Sequence, residues 1–172
     1  MIKIFKNRFR GHIDPPSEAE YEACVSDILE HKLVGSMRHF VQHGDTSTLE
    51  HCLSVSYASY RFCKSFGLDF RSAARGGLLH DFFLYDWHGD KGYKGLHGIK
   101  HPSIALDNAE KHFELNKKEK DIIKKHMWPL TLSLPRYKES FVVMMMDNYC
   151  TMGELMAWRK SLKQRIKILL GI

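Results

Sequence analysis

Apolar and polar positions alternate along the chain with a helical period almost throughout. Ser17-Glu18-Ala19-Glu20 has the spacing of a capping box, in which a serine oxygen and the glutamate three residues on each satisfy an orphan amide. It predicts a helix to about Gln42, with Tyr21, Val25, Ile28, Leu29 and Leu33 on one face. Gly44-Asp45-Thr46 breaks it. Ser47-Thr48-Leu49-Glu50 repeats the capping pattern and opens a second helix to about Phe66, with a stripe of His51, Val55, Tyr57/Ala58, Phe62 and Phe66 and a terminating Gly67. Asp69 is placed to cap a third helix to about Phe83. A fourth starts near His101-Pro102, where the missing proline N–H costs little, and runs to Phe113. Asn116-Lys117-Lys118-Glu119 begins a helix that reaches His126 and stops before Pro129. A further helix covers about residues 138–151, Gly153 is placed to kink it, and a basic amphipathic helix finishes near Leu170.

This pattern predicts an all-α protein, a compact bundle of about seven helices with essentially no sheet. Residues 1–16 form a basic, turn-rich leading segment, and 17–172 read as one domain. One long irregular stretch, 86–100, carries Gly89, Gly92, Gly95 and Gly98. Loops of that length inside a compact domain are usually functional or disordered, and this one is expected to be a mobile lid over the metal pocket.

Composition narrows the classes. With 172 residues, 44% hydrophobic and 27% charged, the chain is long enough to bury a core without staples. No apolar run approaches the roughly 18 residues of a spanning helix, and the start of the chain lacks the apolar core of a secretory signal. Cys24, Cys52, Cys63 and Cys150 form no CxxC pair, and Cys52 and Cys63 lie about 16 Å apart if they share a helix. All four are read as reduced thiols of a cytoplasmic protein. The net charge of +6 suits solubility or attraction of an anionic substrate. No continuous basic stripe interleaved with aromatics points to nucleic acid. The unusual count is 11 histidines.

Three places put metal-capable groups where the pattern demands burial. His51 sits on an apolar stripe, His80-Asp81 lies between Gly76-Gly77-Leu78-Leu79 and Phe82-Phe83-Leu84, and Asp147 follows Val142-Val143-Met144-Met145-Met146. A carboxylate in such company is costly unless paired or bound to a metal. Singly, each histidine reads best as a hydrogen-bonded core residue and each aspartate as a cap or ion-pair partner. Together they share one solution, a common cation.

The order His51, His80-Asp81, Asp147, each on its own helix, resembles the HD phosphohydrolase superfamily over about residues 48–154. The resemblance implies that His51, His80, Asp81 and Asp147 bind a divalent metal. His101 and His126 extend the pattern toward the two-metal branch, which includes cyclic-dinucleotide phosphodiesterases, a diadenosine tetraphosphate hydrolase family and diiron oxygenases. There Asp81 would bridge both ions, with His101 and His126 completing the second site. The plainer alternative for these two is a helix-end role, with His126 favoured by the dipole. Nitrogen and oxygen ligands without thiolate suit Fe, Mn, Co, Ni or Zn.

The expected activity is metal-dependent hydrolysis of a small phosphate ester, such as a nucleotide, with His80 and Asp81 at the catalytic centre. Lys91, Lys94, Lys100 and Arg136 are candidates to bind its phosphate. Some two-metal relatives carry Lys four residues after the doublet; Tyr85 stands there in this chain, against a cyclic-dinucleotide substrate. A diiron oxygenase would use the same six ligands, and a regulatory protein could keep the metal and lack turnover.

Overall fold

The computed structural model describes residues 15–87 and 96–170, with side chains to residue 160. Within these it contains seven α-helices and one small two-stranded sheet. The elements are α1 (Glu18–Leu29), α2 (Lys32–Ser36), a 3-10 turn (Met37–His39), β1 (Val41–His43), β2 (Thr46–Ser47), α3 (Thr48–Ser65), α4 (Phe70–Leu79), α5 (His97–His112), α6 (Lys117–Lys125) and α7 (Lys138–Leu170).

Two capping boxes form in full, Ser47 with Glu50 at α3 and Asn116 with Glu119 at α6. The one expected at Ser17 forms by half. Ser17 accepts from the Glu20 amide, but the Glu20 carboxylate turns away to the Tyr60 hydroxyl at 2.6 Å and Lys64 at 2.7 Å.

The first helix does not reach Gln42. The chain leaves α1 at Glu30, and the His31 ring accepts from the Leu33 amide to start α2. Residues 41–47 then fold as an antiparallel hairpin with Val41 opposite Ser47 and His43 opposite Thr46. Its turn passes through Gly44 at φ +60°, where a side chain would also meet the Trp158 indole of α7 at 2.5 Å. The alternation in this hairpin is too short to stand out from the helical pattern around it.

Helices α3 and α4 are the centre of the molecule. One apolar cluster joins them to α1 and α5 through Val25, Ile28, Leu78, Leu79, Phe82 and Ala105. A second, with Val55, Cys63, Ala73, Ile122 and Val143, joins them to α6 and α7. The buried face of α3 is Thr48, His51, Cys52, Val55, Ser56, Ser59, Tyr60 and Cys63, rotated from the expected stripe, so Phe66 is exposed. Small polar residues on that face let α4 come close. A Cβ at Gly77 would sit 3.0 Å from the Ser56 Cα, and one at Gly76 would strike Ile122 of α6 at 2.8 Å. The helical cost of about 1 kcal/mol per glycine is the condition of this close packing.

Three more boundaries differ from expectation. α4 ends at Leu79 rather than near Phe83, because the backbone tightens into turns with Phe82 N–H donating to the Leu79 carbonyl and Phe83 N–H to that of Asp81. α5 begins at His97, so His101 and Pro102 lie in its second turn. α7 is one helix of 33 residues that continues unbroken past Gly153. All four cysteines are free. Among the described residues no helix is long and apolar enough to cross a membrane.

Candidate metal centre

His80 and His126 occupy the C-caps of α4 and α6, where the last-turn carbonyls run short of helical donors. Each ring fills that gap. His80 Nδ1 donates to the Gly77 carbonyl at 2.8 Å, and His126 Nδ1 to that of Ile123 at 2.9 Å. His101 Nδ1 donates back to the His97 carbonyl at 3.0 Å. His51, one turn into α3, places Nδ1 between both oxygens of Glu154, at 3.0 and 3.1 Å. Since carbonyls and carboxylates only accept, the proton of each neutral imidazole is fixed on Nδ1. The four Nε2 atoms converge, and each is a lone pair when its ring is neutral, as metal binding requires. This second layer of acceptors behind the rings is the arrangement that orients histidines toward a metal.

The two aspartates complete the cluster. His51 Nε2 lies 3.1 Å from Asp147 Oδ1, and His80 Nε2 lies 3.8 Å from the same oxygen and 3.4 Å from Asp81 Oδ2. Asp81 Oδ1 lies 3.1 Å from His101 Nε2 and 3.5 Å from His126 Nε2. Ligand atoms fall within 4.8 Å of one another in three overlapping triads: His51–His80–Asp81, His80–His126–Asp147 and Asp81–His101–His126. The six expected residues therefore meet in one place, although Asp147 groups with His126 as well as touching His51. Every side chain but Asp147, at 14% exposure, is nearly or fully buried.

Two observations test whether a cation fits. The first is that His80 Nε2 and Asp81 Oδ1 are buried, with no hydrogen-bond partner. The second is that His101 Nε2 and His126 Nε2 stand 2.7 Å apart, both facing the cluster, while both Nδ1 atoms are committed to carbonyls. Two lone pairs cannot face each other at that distance without a proton or a cation between them. The donor set, imidazole nitrogen and carboxylate oxygen, suits a divalent transition metal. The residues fit the group.

The electrostatics express the same demand. Burial opposes charge on His51, but Asp147 and Glu154 outweigh it and raise its pKa to about 10. Burial likewise opposes charge on His80, and Asp81 holds it well above the usual imidazole range. Burial would raise Asp81, yet His80 and His101 hold it well below the carboxylate range. His126 goes the other way, pushed down to about 3 by burial and by His101 and His80. Asp147 is lowered against its burial by His51 and His80.

Several contributors were not legible in the sequence. Gln42 on β1 donates to Asp81 Oδ2 at 2.5 Å while its own oxygen accepts from Thr48 at 3.1 Å, so the hairpin aims the Asp81 carboxylate. His43 packs edge-on against His51. Glu154 could have been found: it follows Asp147 by seven residues, two helical turns on the same face.

The expected phosphate cations are less well placed. Lys91 and Lys94 lie outside the described residues, as does most of the 86–100 loop. Lys100 is exposed, directly before His101. Arg136 is not at the cluster; it lines a surface depression with Lys117, Lys120, Lys124 and Lys125, and its amide donates to Asp121. Comparison with known proteins finds no matching family model, no matching characterised protein and no matching solved structure.

Proposed function

We propose that this chain is a metal-dependent phosphohydrolase of the HD type, acting on a small phosphate ester. The observation that supports it most is the convergence of four Nε2 lone pairs and two carboxylates, with His80 Nε2 and Asp81 Oδ1 left without partners. His51, His80, Asp81 and Asp147 would hold one ion, and Asp81, His101 and His126 a second, with Asp81 shared. A divalent ion bound there supplies Lewis acidity and a coordinated water whose pKa falls toward neutrality.

The chain's own residues do the rest. The Gly77, His97 and Ile123 carbonyls and Glu154 lock the ring tautomers, and Gln42 fixes the bridging carboxylate. Two divalent ions would bring more positive charge than Asp81, Asp147 and Glu154 neutralise, so the site favours an anionic substrate such as a phosphate ester. Lys100, the residue before His101, is the candidate cation for it that lies among the described residues near the site in sequence. Tyr85, its hydroxyl 2.9 Å from His97 Nδ1, stands four residues after Asp81 where some two-metal relatives carry lysine, which speaks against a cyclic-dinucleotide substrate.

The test is anaerobic phosphate release from a panel of phosphomonoesters and phosphodiesters, with protein loaded in turn with Mn²⁺, Fe²⁺, Co²⁺, Ni²⁺ and Zn²⁺. Hydrolysis that Asp81→Ala abolishes is expected. Oxygen consumption by the Fe²⁺ form without any hydrolysis would assign the site to an oxygenase, and bound metal with neither activity to a regulatory protein.

A further inference from the structure

Helix α6 sorts its residues by charge. Ile122, Ile123 and His126 are buried on one side, and Lys117, Lys120 and Lys124, at spacings of three and four, share the opposite side. Between that side, α5 and the segment leading into α7 lies a depression of about 370 Å³. Lys125 and Arg136 also line it, so five cations stand there against one acid, Asp121. Leu106 and Tyr137 supply the remaining wall.

Most of this positive charge has no counterpart in the chain. Asp121 is buried and already spent: it pairs with Lys125 and accepts from the Arg136 amide at 2.9 Å and the Ser140 hydroxyl at 2.8 Å. The amide bond holds the backbone of Arg136 at the rim. Lys120 reaches Glu110 at 2.7 Å. Lys124 donates to the Ser103 hydroxyl at 2.6 Å, a neutral partner. The side chains of Lys117 and Arg136 make no hydrogen bond or ion pair among the described residues. Lys117, Lys124 and Arg136 therefore lack a carboxylate there. Of the chain's 20 acidic residues only Asp14 and Asp90 lie outside the described side chains, too few to balance these three charges.

The placement also works against the helix. Lys117 is the first residue of α6, where the dipole disfavours a cation. Lys117 with Lys120, and Lys120 with Lys124, are like-charge pairs at neighbouring positions of a helix surface, which destabilise it. A concave surface that repels itself and has no internal acid to balance it is suited to an external anion.

We propose that this depression is a second anion site, apart from the metal centre, which binds a run of linked phosphates: a pyrophosphate or triphosphate group, free or as the tail of a nucleotide. Lys117 and Lys124 stand about 10 Å apart along the helix axis, more than a single phosphate spans. The three uncompensated cations suit the charge of a di- or triphosphate. Arg136 offers a planar fork that can pair two phosphate oxygens at once, and the lysines act as point charges. The inference does not depend on the phosphohydrolase reading, since none of the six metal-capable residues lines the depression.

Isothermal titration of the full chain with sodium tripolyphosphate in metal-free buffer gives the test. The parent is expected to bind, more weakly as salt rises, and Lys117→Ala with Arg136→Ala to weaken binding by more than about tenfold. Circular dichroism of that variant should match the parent, because both side chains are exposed. Asp81→Ala should bind as the parent does, which separates this site from the metal centre. Lys32→Ala with Arg61→Ala removes two exposed cations of α2 and α3 and should change binding by less than about twofold. Adenosine triphosphate separates the two sources: an affinity equal to or above that of tripolyphosphate assigns the site to a nucleotide tail, a lower one to the inorganic ion. A parent that does not bind would overturn the proposal. So would loss of binding in Asp81→Ala, equal weakening by the α2–α3 control pair, or a single-stranded oligonucleotide bound more tightly than tripolyphosphate.

Discussion

Two polar clusters in this molecule, one partly and one almost fully buried, solve the same physical problem in opposite ways. Against α1, α4 and α6, the Arg75 guanidinium donates to Asp27 and Glu119, and nearby Lys118 bridges Asp69 and Glu139. There, each charge has a partner of opposite sign within the chain. At the other cluster, four imidazoles and two carboxylates are driven together, and His80 Nε2 and Asp81 Oδ1 end without hydrogen-bond partners. Burial still lifts the Glu119 carboxyl above its usual range, so the first cluster holds position more than it adds stability. The second could hold a metal ion. A self-sufficient ion network marks scaffold; buried imidazoles and carboxylates with unpartnered atoms mark a candidate binding site.

The sharpest way to break this contrast is Asp81→Ala. Its carboxylate belongs to two of the three triads, so metal content should collapse and hydrolysis fall to background, as read by elemental analysis and phosphate release. Wild-type metal content in that variant would show the cluster to be incidental. The paired change His101→Ala with His126→Ala is expected to remove about one ion per chain and leave the other, with a steep loss of turnover. Unchanged metal would return both residues to helix-end roles.

In the self-sufficient cluster the outcome should invert. Arg75→Ala should cost about 3–5 kcal/mol in chemical denaturation, because it strands the buried Glu119, while the folded protein keeps its full metal content. A smaller effect is expected of Glu154→Gln. It keeps an acceptor near His51 but loses the charge, and metal affinity should fall by about 10–100-fold without loss of folding. Isothermal titration with Zn²⁺ or Mn²⁺ reads that change directly.

The smallest effect is a pH dependence of the scaffold network. Asp69 and Glu139 are both held below their ordinary values of 3.8 and 4.5, against burial, by hydrogen bonds to backbone amides and to Lys118. A lowered carboxylate contributes stability that is fully present above its unfolded pKa and is lost as pH falls through the folded one. Unfolding midpoints should thus decline below about pH 4.5, and less so in Lys118→Met, where part of the lowering is gone.

What the sequence showed and what it hid divide on physical lines. The capping boxes at Ser47 and Asn116 were legible because a cap is a local pattern of four residues. The convergence of His51, His80, Asp81 and Asp147 could be anticipated because each stands where apolar neighbours force burial, whereas His101 and His126 entered only through the resemblance to a two-metal pattern. The hairpin at residues 41–47 was hidden because its role is tertiary: it exists to bring Gln42 to Asp81 and to seat Gly44 under Trp158. The true buried face of α3 was hidden too, since Thr48, Ser56 and Ser59 are polar by composition and are buried for their small size. Gly153 reads as a kink from sequence alone; the structure shows a continuous helix there, with open space among the described residues where its side chain would lie.

The central claim is that the buried cluster holds divalent metal, and elemental analysis of protein purified without chelator tests it most directly. After reconstitution with Mn²⁺, Fe²⁺ or Zn²⁺ and removal of free ion, the account predicts about two ions per chain, displaced by Asp81→Ala. A chain that retains no ion under those conditions, while folded and with all six residues intact, would contradict it.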